Sequence, residues 1–157
     1  MQSTFYVLDE PKPLEAPTTS ENAPSSDVSA HFALACRLAS DLFRSGQRVF
    51  IFTESQQHAH LIDEHLWAFD VDAFVPHNLA GEGPANGAPV EISWLQPNNR
   101  RAVLINLATM TPDFIHQFRQ VIDFVPSDDI AKQAARERYK HYRQAGFQMN
   151  TTQAPTV

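Results

Sequence analysis

The residues best suited to chemistry lie between positions 132 and 143 of this 157-residue chain. Successive helical residues advance by about 100°, so Lys132, Arg136, Tyr139 and Arg143 would fall within an arc of roughly 60°, one straight stripe at i, i+4, i+7 and i+11. Lys140 flanks it. Cations in a row make charge-assisted hydrogen bonds to carboxylates. A tyrosine among them offers a ring for an apolar side chain and a hydroxyl for a hydrogen bond. The chemistry implied is recognition, not turnover: the stripe suits a peptide that is acidic and ends on an apolar residue with a free carboxylate. Phe124 and Val125, just ahead of the helix, are positioned to wall such a pocket. The plainer alternative is a solvated helix face. Against it stand the four cations among the five side chains and the central aromatic, with no acid inside the stripe itself.

Other constellations carry less. Three of the five glycines lie in residues 77–87, but the segment leads into the strand-like Pro89, Val90, Glu91 and Ile92, and no Lys or Arg occurs from His77 to Gln96. A phosphate cradle needs a helix N-terminus and usually a lysine, so a nucleotide site is not expected. His58, His60 and His65 share a helix with Asp63 and Glu64, yet His58 and His60 are two residues apart and point to different faces. They are read as solvent-facing, and no metal or other cofactor is expected. Cys36 is the single cysteine, so no intramolecular disulfide can form. It sits in a helical apolar pattern and reads as a small core residue. Trp67, Phe74, Val75 and Pro76 form a second apolar cluster next to the glycine-rich loop, open to two readings, core filling or a partner-docking patch.

The elements that must position these residues follow from periodicity. Short apolar, β-branched and aromatic runs at residues 3–8, 48–53, 89–94, 101–107 and 120–125 predict strands. Helical spacing predicts helices over about 27–44, 55–69 and 127–144, with Gly46 and Gly146 as stops and Ser127 as a cap, plus a short helix over 112–118. The alternation predicts a single α/β domain over 1–147 built from parallel βαβ units with right-handed crossovers. Residues 10–26, with four prolines, are expected to be a mobile loop, and 148–157 a disordered polar tail. The net charge of −6 and pI near 5.5 argue against direct binding of single-stranded DNA. A lone hydrolase or nucleotidyltransferase would need a phosphate loop or paired carboxylates, which nothing here nominates. No apolar run is long enough to span a membrane and no secretory signal is present.

Several segments together resemble one family. They are Thr4-Phe5-Tyr6 with Leu8-Asp9, the run from Phe74-Val75-Pro76-His77 to Gly83-Pro84, Asp123-Phe124-Val125-Pro126, and Ala135-Arg136-Glu137-Arg138-Tyr139-Lys140 with Gly146-Phe147. The family is the chi subunit of bacterial DNA polymerase III holoenzyme, and the resemblance covers about residues 3–152. It implies a three-layer α/β/α sandwich with a mostly parallel, Rossmann-like sheet and no nucleotide-binding loop. It implies a cytoplasmic, non-catalytic accessory subunit associated with the clamp loader, in contact with DNA only indirectly. The implied partners are the psi subunit and the acidic C-terminal tail of single-stranded DNA-binding protein, with a repair helicase competing for the psi surface in some relatives. By resemblance Lys132, Arg136, Tyr139, Lys140, Arg143 and Val125 hold the acidic tail, and Trp67, Phe74, Val75 and Pro76 meet psi. The segment 10–26 is longer than the family pattern, and the chain runs a little beyond it after Thr152.

Overall fold

The computed structural model describes residues 2–8, 26–68, 77–79, 89–95, 101–126 and 129–153. In chain order these form β1 (Gln2–Val7), α1 (Ser26–Arg44), β2 (Val49–Phe52), α2 (Gln56–Ala68), β3 (His77–Leu79), β4 (Val90–Ser93), β5 (Val103–Asn106), a single 3₁₀ turn (Ile115–Gln117), β6 (Gln120–Val125), α3 (Asp129–Gln144) and β7 (Gln148–Gln153). The strands make one seven-stranded sheet in the order β3-β4-β2-β5-β6-β1-β7. Every strand pair in it is parallel.

The middle strands explain themselves. Val49-Phe50-Ile51 and all of Val103-Leu104-Ile105 are buried, as expected of strands covered on both faces. Their side chains alternate between two cores. Val49, Ile51, Val103 and Ile105 join Leu34, Ala35, Cys36 and Ala39 of α1 and Ala59, Ile62 and Leu66 of α2. Phe50, Leu104 and Val121 face the other way, toward Phe114, Ile115 and Phe118 and toward Ala135 and Tyr142 of α3. Two helices on one face and the third on the other give the three α/β/α layers.

The two helix stops that glycine was expected to supply are present. Gly46 and Gly146 have φ of 84° and 96°. At α3 the Gly146 N–H donates to Arg143 O and the Phe147 N–H to Tyr142 O, both 3.1 Å; at α1 the Gln47 N–H donates to Leu42 O at 3.0 Å. Each is a turn that satisfies terminal carbonyls and throws the chain back toward the sheet.

Three sequence expectations need correction. Residues 148–153 are not a disordered tail: they form β7, paired with β1 from Gln2↔Gln148 to Val7↔Gln153. Hydrophobic periodicity could not show this, because β7 is an edge strand with only Met149 half-buried and packed on the core. Its backbone satisfies an edge of β1, and backbone pairing leaves no mark on composition. Residues 77–79 were read as loop and form β3, too short to show a period. The short helix expected over 112–118 is reduced to one 3₁₀ turn. Residues 10–25 of the proline-rich segment, the cap position Ser127 and the end of the chain after Gln153 lie outside the described residues.

Cys36 is fully buried, and burial pushes its thiol up to about 12. Only the thiolate is nucleophilic. Native protein at mildly alkaline pH should therefore leave Ellman's reagent unreacted, and should titrate one thiol once unfolded in urea. Rapid reaction of the folded protein would show that the α1 face opens.

Candidate functional site

α3 is fastened to the sheet by a buried polar network. Asp123, in the middle of β6, is fully buried. Its carboxylate accepts two hydrogen bonds from Arg138, from Nε to Oδ2 at 2.8 Å and from Nη2 to Oδ1 at 2.9 Å. It accepts a third from the Tyr142 hydroxyl at 2.7 Å and one from the Phe124 N–H at 2.7 Å. Asn106 on β5 donates to the Tyr142 oxygen at 3.0 Å. Arg138 also donates to the carbonyls of Thr109 at 2.8 Å and Phe124 at 3.1 Å. Burial alone would lower the Arg138 guanidinium, but the facing Asp123 carboxylate outweighs it and leaves the group raised. The Tyr142 hydroxyl is pushed well above its usual range, by burial first and by the Asp123 charge second. It stays a neutral donor, as the network requires. Arg138 lies on the face of α3 turned to the sheet, so its burial needs a carboxylate partner, and Asp123 supplies it.

With α3 locked this way, the basic stripe faces a depression of about 440 Å³. Its lining includes the predicted Val125, Arg136, Tyr139, Lys140 and Arg143. Tyr139 is half-buried, its ring centroid 5.4 Å from that of Phe5 on β1, which in turn lies 5.6 Å from Tyr142. The floor is thus apolar and aromatic, while Arg136, Lys140 and Arg143 stand exposed around it. Phe5, Gln133, Ala135 and Thr151 also line the depression and were not foreseen. Phe5 and Thr151 enter because β1 and β7 are neighbours, which no local signal announced.

Two refinements follow. Lys132 is half-buried on α3 and does not line the depression, so it stands apart from the other cations. Acids are absent from the stripe but not from its edge: Glu137 lies 3.7 Å from Lys140 across one turn, both well exposed. An exposed pair of this kind is weak, so Lys140 can exchange Glu137 for another carboxylate. Of the second predicted surface, Trp67 falls within α2, but its side chain, like Phe74, Val75 and Pro76, is outside the described residues. His58 is half-buried and His60 exposed. Among the described residues, no group of three or more His, Cys, Asp or Glu could hold a metal ion. None of the helices among them is long and apolar enough to cross a membrane.

The family described as DNA polymerase III chi subunit, HolC, matches residues 1–150. The chain belongs to the DNA polymerase III chi subunit family. Curated relatives agree. The Escherichia coli chi subunit is 48% identical over 151 residues, covering 95% of both chains. The Haemophilus influenzae chi subunit is 52% identical over 120 residues, 75% of this chain and 83% of its own length. That of Pseudomonas aeruginosa is 35% identical over 135 residues, 85% and 94% respectively. The chi family identity makes this an accessory subunit of a bacterial replicative polymerase. In shape alone, the fold is similar to part of one chain in the structure of Saccharomyces cerevisiae Dbp5 bound to Nup159 and Gle1, with TM-score 0.61 and 9% identity. It is also similar to part of T4 UvsW, with TM-score 0.55 and 14% identity. This chain spans 42% and 41% of those two proteins. At such identities the likeness speaks to the α/β fold and not to activity.

The network makes a stability prediction. Breaking a buried ion pair by deleting one partner costs about 3–5 kcal/mol, so Asp123→Ala should lower unfolding free energy in urea by that order. Tyr142→Phe, which removes one hydroxyl and leaves the ion pair, should cost only about 1–3 kcal/mol. Equal losses would mean that the ion pair is not the main fastening.

Proposed function

We propose that this chi-family chain is a non-catalytic adaptor whose α3 pocket holds the acidic C-terminal tail of single-stranded DNA-binding protein. The observation that carries the proposal is the convergence of exposed Arg136, Lys140 and Arg143 on a depression floored by Phe5, Val125 and Tyr139. An acidic peptide ending in an apolar residue satisfies both halves at once. Its side-chain carboxylates meet Lys140 and Arg143, its terminal ring or aliphatic group lies against Tyr139 and Val125, and its α-carboxylate pairs with Arg136 in a charge-assisted bond. Lys132 adds long-range attraction from beyond the rim.

In the same proposal a second surface around Trp67, Phe74, Val75 and Pro76 meets the psi subunit, which ties the chain to the clamp loader, and a repair helicase competes there. Support for this half is the family membership and the apolar character of those residues. The bridging role then places the chain in the bacterial cytoplasm, at the replisome, with DNA reached only through its partners.

Much of the pocket's attraction is exposed charge, so affinity for the tail peptide should fall as salt rises. Arg136→Ala should weaken binding by about tenfold or more, the loss expected when a carboxylate loses a charged partner, with an unchanged melting temperature. Phe74→Ala should leave peptide binding as it is. Titration calorimetry with the free-acid peptide checks all three. Arg136→Ala binding as tightly as the parent protein would sink the assignment of the pocket.

A further inference from the structure

α3 has a second stripe on another face. Ile130, Ala134, Glu137 and His141 also fall within roughly 60° of arc at about 100° per residue. This stripe faces the segment after β5, where the Thr111 hydroxyl lies 3.0 Å from His141 Nδ1. Between them is a depression of about 320 Å³, and a second of about 440 Å³ continues from it toward Phe114 and Glu54. The two share Met110 and Thr111. Met110 is 76% exposed, and Ile130, at the head of the stripe, 83%. Large apolar side chains left this open beside concave surface mark a binding groove.

The sign of the charge here is opposite to that of the pocket already described. Glu54, Asp113 and Glu137 stand exposed along the groove. The one guanidinium in its lining, Arg138, is buried and spends most of its charge on Asp123, with a smaller attraction to Glu54. Glu54 sits just ahead of α2, where a negative charge also answers the helix dipole. Glu137, in the middle of α3, is answered only by the exposed Lys140 at 3.7 Å, a weak pair. The apolar stretch is therefore rimmed by acid, and its lining holds no exposed Lys or Arg.

We propose that this groove docks a partner segment of opposite character, a bulky apolar residue flanked by Lys or Arg. The apolar residue lies against Met110 and Ala134, with Ile130 one turn away at the head of the stripe, and the flanking cations meet Asp113 and Glu54. Such a segment is repelled by the Arg136 pocket, and an acidic tail is repelled here. One helix thus serves two unlike ligands on two faces, and the groove stands whether or not the first pocket takes the tail proposed for it.

The two internal methionines make separate reporters, since Met110 lies in the groove and Met149 packs on the core cluster beside the other pocket. Protein labelled with ¹³C at the methionine methyls would be titrated with a short peptide carrying Leu-Phe between lysines. Controls are the same peptide with glutamates for lysines and with alanines for Leu-Phe. The expected result is movement of the Met110 methyl with Met149 still, by the first peptide alone. Asp113→Lys and Ile130→Lys, both at exposed positions, should each weaken the response by about fivefold or more, and Arg136→Ala should not. A Met110 signal unmoved at millimolar peptide, an equal response to the glutamate peptide, or a response indifferent to both groove variants would each overturn the proposal. Failure of an acidic peptide to move Met149 would count against the other pocket and not against this one.

Discussion

The Asp123 carboxylate is the point on which the placement of α3 and the depressions beside it depends. A buried ion pair is not by itself a strong source of stability, because desolvation consumes most of the Coulomb attraction. Its worth is in fixing register. Arg138 reaches Asp123 through two N–H groups, with Tyr142 one turn on occupying the same carboxylate. A slip of α3 by one turn would leave a carboxylate buried and unpaired. The same slip would carry Tyr139 off Phe5 and move Arg136 and Arg143 away from Val125. Helix register and pocket geometry are one constraint, set by a residue that touches neither ligand surface.

The parts of this arrangement that sequence could express were those with a local pattern. α3 was legible because its apolar, basic and glycine positions recur at helical spacing, and the central strands because both faces are buried. An arginine among the sheet-facing positions of α3 implies some buried carboxylate. Which carboxylate was not legible, since Asp123 lies on another element and only the fold brings it near. The third wall of the pocket was invisible for the same reason. Thr151 belongs to a polar stretch with no period, and it lines the site only because β7 pairs beside β1. The proline-rich segment and most of the Trp67 cluster fall outside the described residues, so the structure neither assembles nor separates them.

An acidic chain with a basic pocket is not a contradiction. Screening limits exposed charges to a range of about a Debye length, roughly 8 Å at physiological salt. Within that range a carboxylate at the α3 rim meets Arg136, Lys140 and Arg143, not the net charge of −6. A long polyanion samples the whole surface and is met mostly by repulsion. In the function proposed above, local sign with contrary global sign would favour short acidic segments over nucleic acid.

The position of β1 has a consequence for the making of the protein. Its residues pair on one side with 120–125 and on the other with 148–153. β1 therefore waits for strands more than a hundred residues further along the chain, and such distant pairings close slowly. A nascent chain halted before residue 148 has the cations of α3 but not the wall that turns them into a pocket. The depression beside α3 is thus complete only once β7 has paired with β1, so its shape is a late product of folding and not of the helix alone.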